Sequence, residues 1–137
     1  MKVAIRYFSR GGNTKKLAYS ISKILNEEPR EIFIPLEQDV DILFLGTAVY
    51  AFGIDEKVKE FISNINVNVG QIVCFNTSAS NMSIYKMVAK EAAKKGIRVS
   101  ERNFHCKGSY GPFNKGKPDE ADIEDFQKFV KEIINSI

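Results

Sequence analysis

The segment Ser9-Arg10-Gly11-Gly12-Asn13-Thr14 carries the residue types that suit an anion-binding loop. Its two glycines allow a tight turn and let backbone N–H groups approach a ligand closely. Ser9, Asn13 and Thr14 add side-chain donors, and the loop leads into a predicted helix whose first N–H groups and dipole favour phosphate. A capped turn without a ligand has a similar composition, so the loop alone leaves both interpretations open.

The same loop excludes several other classes of phosphate site. Its spacing is neither G-x-x-x-x-G-K-[ST], the pattern of P-loop NTPases, nor G-x-G-x-x-G, the dinucleotide fingerprint. It contains no cysteine that could act as the nucleophile of a thiol phosphatase. No acidic pair ends the preceding strand, so a magnesium-dependent phosphoacceptor lacks its metal ligands.

Two hydrophobic periods alternate along the chain and predict the elements that position this loop. Apolar and β-branched runs predict strands, whereas apolar residues at i, i+3, i+4 and i+7 predict helices. The predicted strands are 3–8, 31–36, 42–45, 71–75 and 97–106, and the helical faces fall within 17–25, 58–65, 84–92 and 123–137. No helix is predicted between the second and third strands. Asn13 or Thr14 is placed to cap the first helix, and Asp119 to cap the last.

This order of elements, β-α-β-β-α-β-α-β-α, is typical of a doubly wound α/β fold with helices on both faces of a parallel sheet. Ligands of such sheets bind beyond the carboxyl ends of the strands, where the strand order reverses. That rule selects the loops after Phe8, Leu45 and Phe75. It also favours phosphate binding over a ligand-free turn for the first loop.

Composition narrows the classes of function. The 137 residues are 44% hydrophobic and 27% charged, which predicts one globular domain over residues 1–137. Cys74 and Cys106 lack C-x-x-C spacing, which argues against a disulfide scaffold or a zinc site. The apolar stretch 42–54 is too short to cross a bilayer, and the N-terminus lacks the apolar run of a signal peptide. A cytoplasmic protein that does not bind membranes is therefore predicted.

The net charge and three individual residues narrow the classes of function further. The net charge of +3 is small and lies outside arginine-rich runs, so nucleic-acid binding is not expected. The basic C-terminal half forms either a solvated helix face and loop or a docking patch for an acidic partner. His105 and Cys106 are neighbours on a predicted strand and point to opposite faces, which argues against a nucleophilic pair. Arg6, inside a central strand, requires a partner if it is buried.

Two segments resemble the signatures of the flavodoxin family. Residues 7–14, Tyr-Phe-Ser-Arg-Gly-Gly-Asn-Thr, are similar to the first signature, in which a Ser/Thr-x-Thr/Ser-Gly-Asn-Thr loop wraps the phosphate of FMN. Residues 41–53 resemble the second, a strand followed by Gly-[ST]-Pro-x-[Tyr/Trp], and the order of elements agrees over nearly the whole chain. The resemblance implies a three-layer α-β-α sandwich around a five-stranded parallel sheet in the order 2-1-3-4-5.

The resemblance also implies a set of FMN-binding residues on three loops. They are Ser9, Arg10, Gly11, Gly12, Asn13 and Thr14 for the phosphate; Thr47, Ala48, Val49, Tyr50, Ala51, Phe52 and Gly53 for the isoalloxazine ring; and Asn76, Thr77, Ser78 and Ala79 for its pyrimidine edge. Tyr50 and Phe52 are candidates to stack on the ring, although Phe52 could instead pack against the helix at Val58. Gly53 gives the backbone freedom to flip a peptide toward the flavin.

Three departures from the family pattern accompany the resemblance. Gly11 stands where a Thr or Ser donor is common, and Arg10 is a candidate to compensate with positive charge. Ala48 replaces the usual proline of the second loop. The chain is basic, whereas most members are acidic, so a different set of redox partners is expected.

The implied function is electron transfer through non-covalently bound FMN between redox partner proteins, by a monomer or weak dimer. No catalytic residue and no metal ligand is predicted. An NAD(P)H-dependent FMN or quinone reductase on the same fold is the alternative, although the sequence offers no evident second nucleotide site. A binding domain that has lost FMN is a third possibility.

Overall fold

The computed structural model of the chain describes residues 1–50 and 53–137. The strands are β1 (Val3–Phe8), β2 (Arg30–Glu31), β3 (Val40–Ala48), β4 (Val69–Ser78) and β5 (Phe104–Lys107). The helices are α1 (Asn13–Ser20), α2 (Ser22–Leu25), α3 (Glu56–Ser63), α4 (Tyr85–Ala93) and α5 (Glu120–Asn135). None of the helices in these two ranges is both long enough and apolar enough to cross a membrane.

The described strands form a parallel sheet in the order β2-β1-β3-β4-β5. Helices α1 and α5 pack on one face, and α3 and α4 pack on the other. The predicted doubly wound, three-layer α/β fold is therefore confirmed. Because the strand order reverses between β1 and β3, the carboxyl ends of these two strands mark the edge where a ligand is expected.

Strand β1 is buried on both faces and ends at the first loop. Ala4 and Phe8 belong to the apolar cluster that contains α3 and α4, whereas Ile5 and Tyr7 belong to the cluster with α1 and α5. This alternation follows from the two-residue repeat of a strand. Helices on both faces therefore cover β1, and it delivers the following loop to the sheet edge from a buried position.

Strands β3 and β4 each run three residues farther than their apolar runs predict. They end at Ala48 and Ser78 rather than at Leu45 and Phe75. Thr47 is in register with Phe8 of β1 and Asn76 of β4, and Thr77 is in register with Ala48 and Cys106, so polar residues continue the ladder. The loop predicted to begin at Asn76 begins after Ser78.

Two other strands are shorter than predicted. Strand β2 is Arg30–Glu31 rather than 31–36, because the chain turns at once: the N–H of Ile34 donates to the carbonyl of Glu31 at 3.0 Å. Pro35 has no N–H with which to continue a ladder. Strand β5 is Phe104–Lys107 rather than 97–106, and before it Val99 forms an isolated bridge with Ile72.

Arg6 lies between Ala4 and Phe8 on a face of β1 that is otherwise apolar, and it is only 8% exposed. Its guanidinium donates to the carbonyls of Ile34, Pro35 and Ile5 at 2.8, 3.2 and 3.1 Å. Burial, and then the charge of Arg30, lowers its pKa. Arg6 therefore finds its partners in the backbone of the turn after β2. This turn connects β2 to β3 in place of a helix.

The two helix starts predicted from side chains differ in outcome. Asp119 caps α5 as predicted: it accepts the N–H of Asp122, and Asp122 accepts the N–H of Asp119, at 3.0 and 2.9 Å. The hydrogen bond from the Asp122 N–H, followed by the Lys117 ammonium, lowers the pKa of Asp119 to about 2. At α1, however, neither Asn13 nor Thr14 is the cap; that position is Gly12, with a left-handed φ of +89°.

Candidate functional site

A cavity of about 710 Å³ opens at the carboxyl ends of β1, β3 and β4. This is the edge of the sheet that the strand order selects, and small-molecule sites typically occupy roughly 300–1,000 Å³. The predicted cofactor-binding residues that line it are Ser9, Arg10, Gly11, Asn13, Ala48, Val49, Tyr50, Thr77, Ser78 and Ala79. All three loops selected from the sequence therefore contribute to one cavity.

The remaining predicted site residues do not line this cavity. Among the described residues they are Gly12, Thr14, Thr47, Gly53 and Asn76. Ala51 and Phe52 lie outside the described residues. Thr14, Thr47 and Asn76 are completely buried, so their side chains act on the cavity through the residues that they hold in place.

Gly12 sets the geometry of the first loop. Its N–H donates to the Ser9 hydroxyl at 3.0 Å, and its carbonyl accepts the N–H of Lys16 at 3.0 Å. The positive φ at Gly12 is a conformation that residues with a Cβ rarely adopt. Helix α1 therefore begins immediately beside the cavity, and the N–H groups of its first turn have no partner within the helix. Such a terminus is suited to a phosphate.

Five buried polar residues, which we call the floor, lie at this edge of the sheet: Thr14, Thr47, Asn76, Thr77 and Ser78. Each of the five is at most 5% exposed. Thr77 and Ser78 also belong to the lining of the cavity. The Thr14 and Thr77 hydroxyls share a hydrogen bond of 3.0 Å, which joins α1 to β4, and the Thr47 hydroxyl donates to the carbonyl of Ala48 at 3.2 Å. The floor therefore satisfies its polar groups within the protein.

Asn76 and Ser78 hold the start of α4 against β4. The Asn76 amide donates to the carbonyl of Met82 at 2.7 Å, and its oxygen accepts the N–H of Ile84 at 3.2 Å. The Ser78 hydroxyl accepts the N–H of Met82 at 2.6 Å. These side chains shape the turn of Ala79 and Ser80 that lines the cavity.

The second loop carries a linked set of aromatic and charged groups. The backbones of Tyr50 and Gly53 exchange two hydrogen bonds of 2.8 and 2.9 Å. The Arg10 guanidinium carbon lies 4.4 Å from the centre of the Tyr50 ring, and the guanidinium pairs with Asp55. The Arg10 N–H also donates to the Tyr50 hydroxyl at 3.1 Å. The positive charge of Arg10 is thus paired with a carboxylate, whereas the sequence suggests that this charge is available to the phosphate.

Asp55 links this ion pair to the fold, because it also caps α3 by accepting the N–H of Lys57 at 2.9 Å. That hydrogen bond, followed by the hydrogen bond from Arg10, lowers the pKa of Asp55 despite its partial burial. The carboxylate is therefore charged at neutral pH and holds the guanidinium beside Tyr50.

A fourth segment, residues 108–117, lines the cavity although the sequence does not select it. Gly108, Ser109 and Tyr110 face the cavity, as does Ser80 of the third loop. The Asn13 amide donates to the carbonyl of Ser109 at 3.0 Å. The segment follows β5, so the rule about carboxyl ends of strands could have found it if applied to the last strand as well.

The cysteines offer no alternative chemistry at this edge. Cys74 and Cys106 are buried, and burial raises the pKa of both thiols to about 12. Thiols with such pKa values stay protonated and are poor nucleophiles at neutral pH. Within residues 1–50 and 53–137, no group of three or more His, Cys, Asp or Glu side chains is arranged to hold a metal ion.

The chain is similar in sequence to known proteins. The family profile of the flavodoxin domain matches residues 4–131. An uncharacterized protein of Methanocaldococcus jannaschii is 26% identical, over 99% of this chain and 100% of that protein.

Two solved structures are similar over their full lengths. A flavodoxin from the domain Archaea superimposes with a TM-score of 0.78 at 15% identity, over 99% of this chain and 98% of that chain. Oxidised flavodoxin 2 from Bacillus cereus gives a TM-score of 0.73 at 15% identity, over 100% of both chains. At these identities the structural likeness shows a shared fold.

Proposed function

The chain belongs to the family of flavodoxin domains, and from this membership and the cavity we propose that it binds FMN non-covalently and transfers electrons between redox partner proteins. Family membership and fold support a flavin-binding, electron-transfer role in general. The observation that carries the specific proposal is the start of α1, which opens onto the 710 Å³ cavity beside Tyr50. The start of the helix suits a phosphate, and the ring of Tyr50 suits a flat ring system.

The residues of the first loop would hold the phosphate. The N–H groups of Asn13 and Thr14 belong to the first turn of α1 and have no helical acceptor. The ring would lie against Tyr50, with the backbone of Ala48, Val49 and Ala79 around it. FMN supplies one- and two-electron redox chemistry when bound, and the protein supplies orientation and local charge.

A charge placed at Gly11 tests the phosphate site. Gly11 is exposed and lines the cavity, and a Cβ there would meet no atom within 4 Å, so a side chain fits without repacking. We expect Gly11→Asp to weaken FMN binding about 30-fold, because a carboxylate would lie close to a group of charge about −1.5 to −2. Gly11→Asn is the neutral control of the same size.

Titration of the purified protein with FMN and with riboflavin, followed by flavin fluorescence, measures the effect. Riboflavin lacks the phosphate, so its affinity should change by less than about twofold in either variant. Equal weakening of FMN and riboflavin by Gly11→Asp would contradict the assignment of this loop to the phosphate. A wild-type protein that binds neither flavin would refute the proposed function.

The charge of the chain suggests an acidic partner. Residues 102–118 contain Arg102, Lys107, Lys115 and Lys117 and no acidic residue. Lys107, which precedes the 108–117 segment, and Lys115, within it, are both exposed, and this segment lines the cavity through Gly108, Ser109 and Tyr110. Complementary charge accelerates association and makes its rate sensitive to salt.

Electron transfer from the reduced holoprotein distinguishes a carrier from a reductase. We expect transfer to a small acidic iron–sulfur protein to slow as salt is raised from 20 to 200 mM, and transfer to basic cytochrome c to lack this dependence. Rapid steady-state oxidation of NADPH with a quinone acceptor would instead indicate an NAD(P)H-dependent reductase and contradict the carrier.

A further inference from the structure

Tyr110 and Phe113 have the two most exposed aromatic side chains in the described part of the chain, at 70% and 63%. Their backbones exchange two hydrogen bonds of 3.0 and 2.9 Å, and Gly111 between them has a φ of +55°. Large apolar groups that are held together in water commonly mark a contact with another molecule. Packing within the chain therefore does not explain the positions of these two rings.

Of these two rings, only Tyr110 lines the 710 Å³ cavity. Among residues 1–50 and 53–137, Tyr50, from the loop after β3, is the other aromatic residue in its lining, and the turn 79–83 after β4 contains no aromatic residue. One face of Tyr50 is covered by the Arg10 guanidinium. Within the part of the chain that the structure describes, much of the aromatic surface that remains for a flat ligand is consequently on Tyr110.

The 108–117 segment is fixed to both neighbouring loops, so the position of Tyr110 is defined. The Asn13 amide donates to the backbone carbonyl of Ser109 at 3.0 Å, and the Ser109 hydroxyl donates to the Asn13 amide oxygen at 3.3 Å. The Asn114 amide donates to the carbonyls of Ala79 and Gly108 at 2.9 and 3.3 Å. A Cβ at Gly108 would lie 2.9 Å from the Asn13 amide nitrogen and 3.1 Å from the Thr77 Cβ, so a larger residue there would have to displace these side chains.

We propose that Tyr110 forms a second aromatic wall of the cavity and contacts the ring system of the bound flavin. The proposal rests on the proposed FMN site and assigns part of it to the loop after β5. Tyrosine suits this position because its ring offers a flat apolar surface while its hydroxyl stays in water. Phe113, in the same turn but outside the cavity, is expected to make no contact with the flavin.

Three substitutions test this assignment by affinity rather than by activity. Tyr110→Ala should weaken the binding of FMN and of riboflavin equally, each about tenfold, because it removes a contact with the ring and leaves the phosphate loop intact. Tyr110→Phe, which keeps the ring, should bind within about twofold of wild type. Phe113→Ala is the matched control, equally exposed in the same turn, and should also bind within about twofold.

The fluorescence of bound flavin gives a second readout, since a tyrosine in contact quenches it. We expect Tyr110→Ala to raise the residual fluorescence of the saturated complex and Phe113→Ala to leave it unchanged. Unchanged affinity and fluorescence in a folded Tyr110→Ala variant, with normal flavin binding by the wild type, would overturn this inference alone. Equal losses in Tyr110→Ala and Phe113→Ala would also overturn it, since they would point to disruption of the turn. A wild type that binds no flavin would overturn both this inference and the proposed function.

Discussion

The floor of the cavity and its rim differ in where their polar groups find partners. The rim comprises Arg10, Tyr50, Asp55 and the 108–117 segment. Floor side chains are at most 5% exposed and form hydrogen bonds to neighbouring elements of the fold. Rim side chains are more exposed on the whole, and their hydrogen bonds and ion pairs connect loops.

This difference separates stability from binding. A buried polar group that loses its partner costs the full desolvation of that group, whereas an exposed group can exchange its partner for water. Substitutions in the floor should therefore lower the free energy of unfolding. Substitutions in the rim should mainly change ligand affinity, as proposed for Tyr110.

Two asparagines provide the strongest test of this contrast. Asn76 in the floor hydrogen-bonds two backbone groups of the turn before α4, and Asn114 in the rim donates to the carbonyls of Ala79 and Gly108. We expect Asn76→Ala to lower the free energy of unfolding by about 3 kcal/mol, because the N–H of Ile84 becomes a buried group without a partner. Asn114→Ala should cost about 1 kcal/mol or less. Urea denaturation followed by circular dichroism measures both, and equal costs would break the distinction between floor and rim.

The hydroxyl pair of the floor should show strong coupling. Thr14→Val and Thr77→Val each keep the side-chain shape and leave one hydroxyl unpaired, at about 1–2 kcal/mol of unfolding free energy. The double variant replaces both partners with methyl groups and should cost clearly less than the sum of the single variants. Additive costs in the double-mutant cycle would mean that the 3.0 Å hydrogen bond contributes little.

Acid should loosen the rim through Asp55, with a smaller effect. Because its hydrogen bonds from Lys57 and Arg10 lower its pKa in the folded state, Asp55 stabilises the protein fully above its unfolded pKa. This contribution is lost as pH falls below about 4 and through the lower folded value. The floor contains no titratable group.

Denaturation curves between pH 6 and pH 2.5 measure this loss. Asp55→Asn keeps a capping side chain for α3 but removes the charge that pairs with Arg10. We expect it to reduce stability at pH 6 by less than about 1 kcal/mol, typical of an exposed ion pair, and to make the decline in acid shallower. A decline as steep as in wild type would assign the acid sensitivity to other carboxylates.

The layered fold could be predicted because burial on both faces of a strand leaves a local pattern. The alternating clusters on β1 and the apolar faces of the helices each appear within a few residues of sequence. The first loop was predictable for a similar reason, since its glycines and the helix after it are adjacent. Because side-chain caps are common, the sequence favours Asn13 or Thr14 as the helix cap, whereas the structure has Gly12 there with a positive φ.

The extension of β3 and β4 through polar residues has no local signal. The side chains of Thr77 and Asn76 can be buried in β4 because they find hydrogen-bond partners there: Thr14 for Thr77, and Met82 and Ile84 for Asn76. Such pairs become apparent only when the register of the sheet is known. Gly108–Tyr110 likewise line the cavity because β5 lies beside β4 at the edge of the sheet, which the local sequence does not reveal.

The hydrogen bonds that connect the loops bear on the thermodynamics of ligand association. Asn13 fixes the first loop to Ser109, and Asn114 fixes the third loop to Gly108, through hydrogen bonds within the protein itself. Ordering a free loop on binding costs conformational entropy, which subtracts from affinity. In this chain much of that entropy is already lost when the protein folds. A ligand that enters the cavity therefore meets preorganised walls, and folding stability and affinity are linked through the same few asparagine side chains.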